Sequence, residues 1–349
     1  MSLPKTIFLS RGSTAVSWYR CALPALVLDM DWVCYDRAEP PHTNLVWGRT
    51  QTSLTFDDIA EYDVVVVQQP RGAAWMKAIR AWQAKGIVVL YEVDDWLRGI
   101  SRKADHDFAD KFGRDVVADS ELCMRVADGV ICSTQWLAER YKAVNPNTFV
   151  CRNGLDVKRY ALTRPRREHV TIGWAGATGH ANSMRPWLDQ VAAVLRERPA
   201  ARFVSIGQKF ADALVPEFGP DRALSVPWAP FDTYPAAMTL MDIALAPAGQ
   251  DNFYRGKSDL RWLEAGALSI PLIADPAVYP DIEEGVTGFH AASPADVREQ
   301  LLRLVDDRQL RERVGAAARA HVLEHRTAQV AAGSWATVLR EVAPAAIAA

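Results

Sequence analysis

Short runs rich in β-branched and aromatic residues alternate with longer helical patterns from one end of this sequence to the other, break off once, and start again. Such alternation builds right-handed strand–helix–strand units around mostly parallel sheets. Strands are expected at 6–10, 32–35, 63–68, 87–93, 129–132 and 148–151, with helices between them, as over 72–85 and 135–143. The break is Arg152-Asn153-Gly154-Leu155-Asp156 followed by Arg164-Pro165-Arg166-Arg167-Glu168, turn and breaker residues without periodicity. Strands then resume at 170–174, 202–206, 223–226, 243–246, 271–274 and 287–290. A chain of 349 residues, 49% of them hydrophobic, can fill two such cores. The expected division is a first α/β domain over 1–160, a second over 161–325, and a helical end, 326–349, packing back towards the first.

Composition removes several function classes. The formal charge is −2 with charges spread along the chain, so there is no electrostatic footprint for a nucleic-acid backbone. Cys21, Cys34, Cys123, Cys132 and Cys151 are odd in number and lack metal-ligand spacing. They read as reduced thiols of a cytoplasmic protein, and no metal site is expected. The chain runs almost directly into its first strand without a signal-peptide pattern, and no apolar stretch reaches the ~20 residues a membrane span needs. The arginines of 310–324 and 329–341 read as solvated faces; peripheral membrane contact stays open.

The most informative stretch reads strand, loop, helix, strand: Asp242 to Pro247, then Asn252-Phe253-Tyr254-Arg255-Gly256-Lys257-Ser258-Asp259-Leu260-Arg261-Trp262-Leu263-Glu264-Ala265-Gly266-Ala267, then Ile270 to Ala274. Ser258 is the expected N-cap, leaving the amides of Asp259 and Leu260 to face an anion at the positive end of the helix. Lys257 adds a full charge beside it. Glu264, nearly two turns on, is a carboxylate able to accept two ribose hydroxyls. The bland alternative is a capped amphipathic helix with a surface lysine and a solvated glutamate.

The segment from Asn252 to Pro271 resembles the donor-site signature of family-4 glycosyltransferases, in particular a bacterial and phage branch. Two further stretches carry the likeness: Ala127-Asp128-Gly129-Val130-Ile131-Cys132-Ser133-Thr134 with the following Arg152-Asn153-Gly154-Leu155-Asp156, and Pro280-Asp281-Ile282 with Gly285-Val286-Thr287-Gly288-Phe289. The resemblance implies the GT-B fold, two Rossmann-like α/β domains whose parallel sheets face a central cleft. It implies transfer of a sugar from a nucleotide-sugar, a UDP- or GDP-sugar, with retention of configuration and with neither cofactor nor metal. It also implies that Glu264 binds the ribose, while Asn252 and the helix start hold diphosphate and sugar. The acceptor stays open: a glycan, a lipid carrier, a protein or a modified nucleic acid.

Two departures stand out. The family's glutamate eight residues before Glu264 is Gly256 here, leaving Lys257 to take over part of its role. An Arg and a Lys common after the first strand of the second domain are replaced by Gly173-Trp174-Ala175-Gly176-Ala177-Thr178-Gly179-His180. Gly176 there lets backbone approach a phosphate, and Thr178 or His180 can donate a hydrogen bond. A tight turn chosen for packing is the alternative.

Four other positions complete the candidates. Asp94, ending the strand before Asp95 and Trp96, lies by resemblance where much of the family has a histidine facing the sugar; it is a catalytic candidate together with Lys257, with a helix cap as the alternative. Gly12 and Arg20 follow the first strand and are acceptor-side or phosphate candidates. Trp228 is a base-pocket candidate, unless it belongs to the core. Two rival functions remain at this point: a nucleotide-sugar 2-epimerase, which converts the donor without an acceptor, and a binding protein without turnover.

Overall fold

The computed structural model describes residues 2–12, 14–35, 58–100, 115–176, 181–249 and 251–343. Among them, twelve strands form two six-stranded parallel sheets. The first is ordered β2-β1-β3-β4-β5-β6, from β1 (Thr6–Arg11), β2 (Asp31–Tyr35), β3 (Val64–Gln68), β4 (Val88–Val93), β5 (Gly129–Cys132) and β6 (Thr148–Val150). The second is ordered β12-β11-β10-β7-β8-β9, from β7 (Val170–Gly176), β8 (Ala201–Gly207), β9 (Ala223–Val226), β10 (Ile243–Ala246), β11 (Leu272–Ala274) and β12 (Phe289–His290). Each matches a hydrophobic run expected from the sequence. The near-continuous burial of β3 and β10 is what a strand covered on both faces requires.

Sheet order fixes where ligands can enter. In open parallel sheets the crevice lies beyond the carboxyl ends of the strands, where the strand order reverses. That point falls between β1 and β3 in the first sheet and between β7 and β10 in the second. Arg11 and Gln68 end one pair of strands; Gly176 and Ala246 end the other.

The chain crosses between the halves twice, and the crossings are tied together. Leu155 donates its amide to the Arg326 carbonyl at 2.9 Å, and Ala328 donates to the Leu155 carbonyl at 2.9 Å. Beyond this bridge the last described helix, Ala328–Val342, lies against the first sheet, with Trp335 5.4 Å from Phe8, ring to ring. Trp335 is buried, so its truncation to alanine costs about 3–5 kcal/mol. The five cysteines are free, buried thiols. No helix among the described residues is long and apolar enough to cross a membrane.

Candidate active site

The elements that meet across the crevice are α1 (residues 15–27, whose middle turn, Trp18–Ala22, is π-helical), α2 (Tyr234–Met238), α3 (Asn252–Arg255) and α4 (Leu260–Ala267). The amino end of α4 lies close to where the sequence places it, but its cap differs. The N-cap is Asp259, and its side chain makes no capping hydrogen bond. Ser258 lies one residue before the cap, and its Oγ accepts from Asn153 Nδ2 at 2.9 Å. The Asp259 carboxylate is gripped by Arg326 (2.5 and 2.9 Å) and Arg152 (2.8 Å). Burial would raise this carboxyl, but Arg326 and Arg152 overcome that and hold it below the usual range. The first amides of α4 lie at the positive end of the helix.

Arg261, in the first turn of α4, was not singled out from the sequence. Its guanidinium lies 5.2 Å from the Trp174 ring, and a Cβ at Gly176 would stand 2.5 Å from its Nη2. Gly176 is therefore the residue that lets a cation approach the end of β7. The readable signal was spacing: Arg261 precedes Glu264 by three, which puts both on one helix face. Thr178 and His180 lie outside the described residues. Trp228 is 60% exposed, so it is not core; a Cβ at Gly207, the β8 partner of Gly176, would lie 3.0 Å from its ring.

Across the crevice, β4 delivers Asp94 and Asp95 to different partners, as adjacent residues leaving a strand should be. Asp95 Oδ1 pairs with Lys257 Nζ at 2.6 Å, and the Lys257 ammonium also sits 4.2 Å from the Phe253 ring centre. Asp94 Oδ1 accepts from Gln69 Nε2 at 2.9 Å, and Gln69 Oε1 accepts from Arg71 Nη2 at 3.0 Å. Burial, then Asp95 and Glu92, raise the Asp94 carboxyl to about 7. Neither acid caps the following short turn, whose N-cap is Trp96. Gln69 escaped the sequence reading; it holds a positive φ of 46°, a strained conformation of the kind that clusters at functional sites. Among the described residues no group of three or more His, Cys, Asp or Glu is placed to hold a metal ion.

The missing glutamate has a steric explanation. A Cβ at Gly256 would lie 3.0 Å from Trp96 Cβ and 3.1 Å from Leu137 Cδ2, so the opposite half already fills the place a longer side chain would need. Asn252 is exposed in the first turn of α3, whose cap Asp251 accepts from the amides of Phe253 (2.9 Å) and Tyr254 (3.2 Å).

Glu264 is not solvated. It is 6% exposed, and its Oε1 accepts from Tyr19 (2.9 Å) and Tyr160 (3.1 Å), while Oε2 has Tyr234 at 3.4 Å. Burial raises this carboxyl and the phenols pull it back.

At the first sheet's crevice, Gly12 takes a φ of +72° with open space around it, a turn that favours glycine. Arg20 is buried beneath the crevice. It is 1% exposed, bonded to Glu92 Oε1 (2.7 Å), the Cys151 carbonyl (2.6 Å) and Asn153 Oδ1 (2.9 Å), with Trp335 5.2 Å away. The reason is that β4 buries Glu92 completely, and a buried carboxylate needs a counter-charge. Arg20 is linked to Ser258 through Asn153.

Comparison with known proteins agrees with this architecture. Residues 185–335 match a family model described as glycosyl transferase-like. HepE (Alr3699) of Anabaena, crystallised with UDP and glucose, is similar at a TM-score of 0.65 and 15% identity, over 97% of this chain and 100% of that one. A glycosyltransferase from Rickettsia africae ESF-5 is similar at 0.65 and 12%, over 96% and 97%. So is a putative UDP-N-acetylglucosamine 2-epimerase from Listeria monocytogenes, at 0.55 and 13%, over 97% and 95%. No curated relative matches the chain. Such identities speak to fold alone: the chain has the two-domain, Rossmann-like GT-B fold, and over residues 185–335 it is similar to the glycosyl transferase-like family.

Proposed function

We propose that this protein transfers a sugar from a nucleotide-sugar, a UDP- or GDP-sugar, to an acceptor oxygen, with retention and without a metal. The observation that carries the reading is the meeting of the two halves at Lys257 and Asp95, beside Asp94 and the amino end of α4. In this reading the diphosphate lies between the turn at Gly176 and the first amides of α4, with Lys257 and Arg261 supplying the cations. Charge developing on the leaving group meets donors already in place, which is the arrangement that lowers such barriers most. The ribose is read by Glu264, and the base lies towards Trp228. Asp94, with its carboxyl near 7, takes the acceptor's proton. The UDP and glucose bound by HepE support a UDP-sugar as donor.

Calorimetry with UDP and GDP, followed by release of nucleotide from the matching sugars, tests this. Glu264→Ala should mainly weaken nucleotide binding and Lys257→Ala should mainly lower turnover. Folded variants that behave as the wild type in both assays remove the assignment. One observation favours a second reading, a 2-epimerase: an acid near neutrality beside the proposed sugar site. Conversion of a UDP-sugar to its epimer with no acceptor present would select it. Tight donor binding with neither conversion nor transfer would select a binding protein.

A further inference from the structure

The grip on Glu264 is asymmetric, and its strongest part comes from the opposite half of the molecule. An ionised carboxylate oxygen accepts about two hydrogen bonds. Oε1 has both, from Tyr19 and Tyr160, whose hydroxyls lie 3.1 Å apart. Oε2 has one long contact, from Tyr234 at 3.4 Å. Tyr19 belongs to the π-helical turn of α1, next to Arg20, so consecutive residues serve opposite halves: Arg20 binds Glu92 under the first sheet and Tyr19 reaches α4. Isolated π turns within helices are frequent at functional sites. Around the phenols, Trp18 and Phe231 stand 5.5 Å apart and Arg159 lies 3.8 Å from the Phe231 ring, walling the group from water.

We propose that Tyr19 and Tyr160 are positioning residues: they lock Oε1 of Glu264 so that Oε2 is the atom offered to the pentose of the donor. Because Tyr19 arrives from the first half, the grip on nucleotide depends on how the two halves are seated. The proposal rests on the reading of Glu264 as the ribose contact given above. It assigns the tyrosines no part in bond making.

Tyr19→Phe keeps the ring that packs 6.1 Å from Phe231 and removes only the hydroxyl. UDP affinity, measured by calorimetry from pH 5 to 9, should fall about tenfold, the usual scale for losing a charge-assisted bond. The pH profile should move as well. Burial first raises the Glu264 carboxyl; the phenols of Tyr19, Tyr160 and Tyr234 and the charge of Arg261 oppose it, and Tyr279 faces the same group. Removing Tyr19 or Tyr160 raises the carboxyl further, so the pH below which UDP affinity falls should shift upward in Tyr19→Phe and in Tyr160→Phe. Tyr234→Phe, which removes the long bond to Oε2, should shift it less. A purely structural role would lower the unfolding midpoint and leave that profile in place.

Either tyrosine variant suffices if the other fails to fold. Unchanged or tighter UDP binding, or an unmoved profile, in a folded variant overturns the proposal; tighter binding would mean that Tyr19 occupies the pentose's place. Failure of the underlying reading looks different. There, Glu264→Gln would match the wild type, either binding UDP as tightly or failing equally to bind UDP and GDP.

Discussion

Replacing Arg20 by methionine separates a structural arginine from a ligand contact. In the fold Arg20 and Glu92 are 1% and 0% exposed and 2.7 Å apart. The substitution leaves Glu92 buried with Gln68 Nε2, at 3.1 Å, as its remaining side-chain donor, and the Cys151 carbonyl and Asn153 Oδ1 each lose a donor. Breaking one side of a buried pair costs about 3–5 kcal/mol, because the partner charge stays behind. If roughly 160 residues around the first sheet unfold together at about 2.1 cal/mol/K each, the midpoint falls by about 9–15 °C. Thermal and urea denaturation followed by circular dichroism read this directly. Adding Glu92→Leu should restore most of the loss, since apolar replacement of a buried pair is often close to neutral. UDP affinity of the folded protein should hold. A loss below about 1 kcal/mol, combined with a tenfold or larger drop in UDP affinity, would refute the reasoning and return Arg20 to the ligand site.

Three further outcomes follow from the crevice. Lys257→Ala should lower turnover by about 10²-fold, the usual scale for one lost electrostatic donor, with a smaller change in donor KM, measured by nucleotide release. Asp94 carries its proton up to about pH 7, so activity that needs the ionised form should rise through that pH, and Asp94→Asn should flatten the limb. The sign for stability is the reverse: with the folded group raised from its ordinary 3.8, the native state holds the extra proton, and the contribution of Asp94 declines from about pH 4 to 7. Gly256→Glu, which recreates the family's usual residue, should destabilise the fold by about 1–3 kcal/mol through overpacking against Trp96 and Leu137, and should not raise activity.

The strands were legible in the sequence because each is a local run of β-branched and aromatic residues whose burial is decided within a few positions. The loop and helix that carry Lys257 and Glu264 were legible because they follow one another on a single segment. The candidate site was obscure where a side chain's partner lies far along the chain. Ser258 reads as a cap because Ser caps helices, but Asn153, 105 residues earlier, takes its hydroxyl. Arg20 reads as an acceptor-side or phosphate cation because nothing near it shows that Glu92, 72 residues on, will be buried against it. The phenols around Glu264 gave no signal either. Tyr19 is 245 residues away, and a lone tyrosine on a helix normally reads as core.

The most direct test of the central claim is a crystal structure of the protein with UDP bound. The diphosphate should lie between the turn at Gly176 and the first amides of the helix Leu260–Ala267, within reach of Lys257 and Arg261, and the ribose should contact Glu264. Nucleotide seated instead in the open depression of about 560 Å³ lined by Trp187, Asp251, Tyr254 and Asp275, or anywhere that leaves Glu264 untouched, would contradict it.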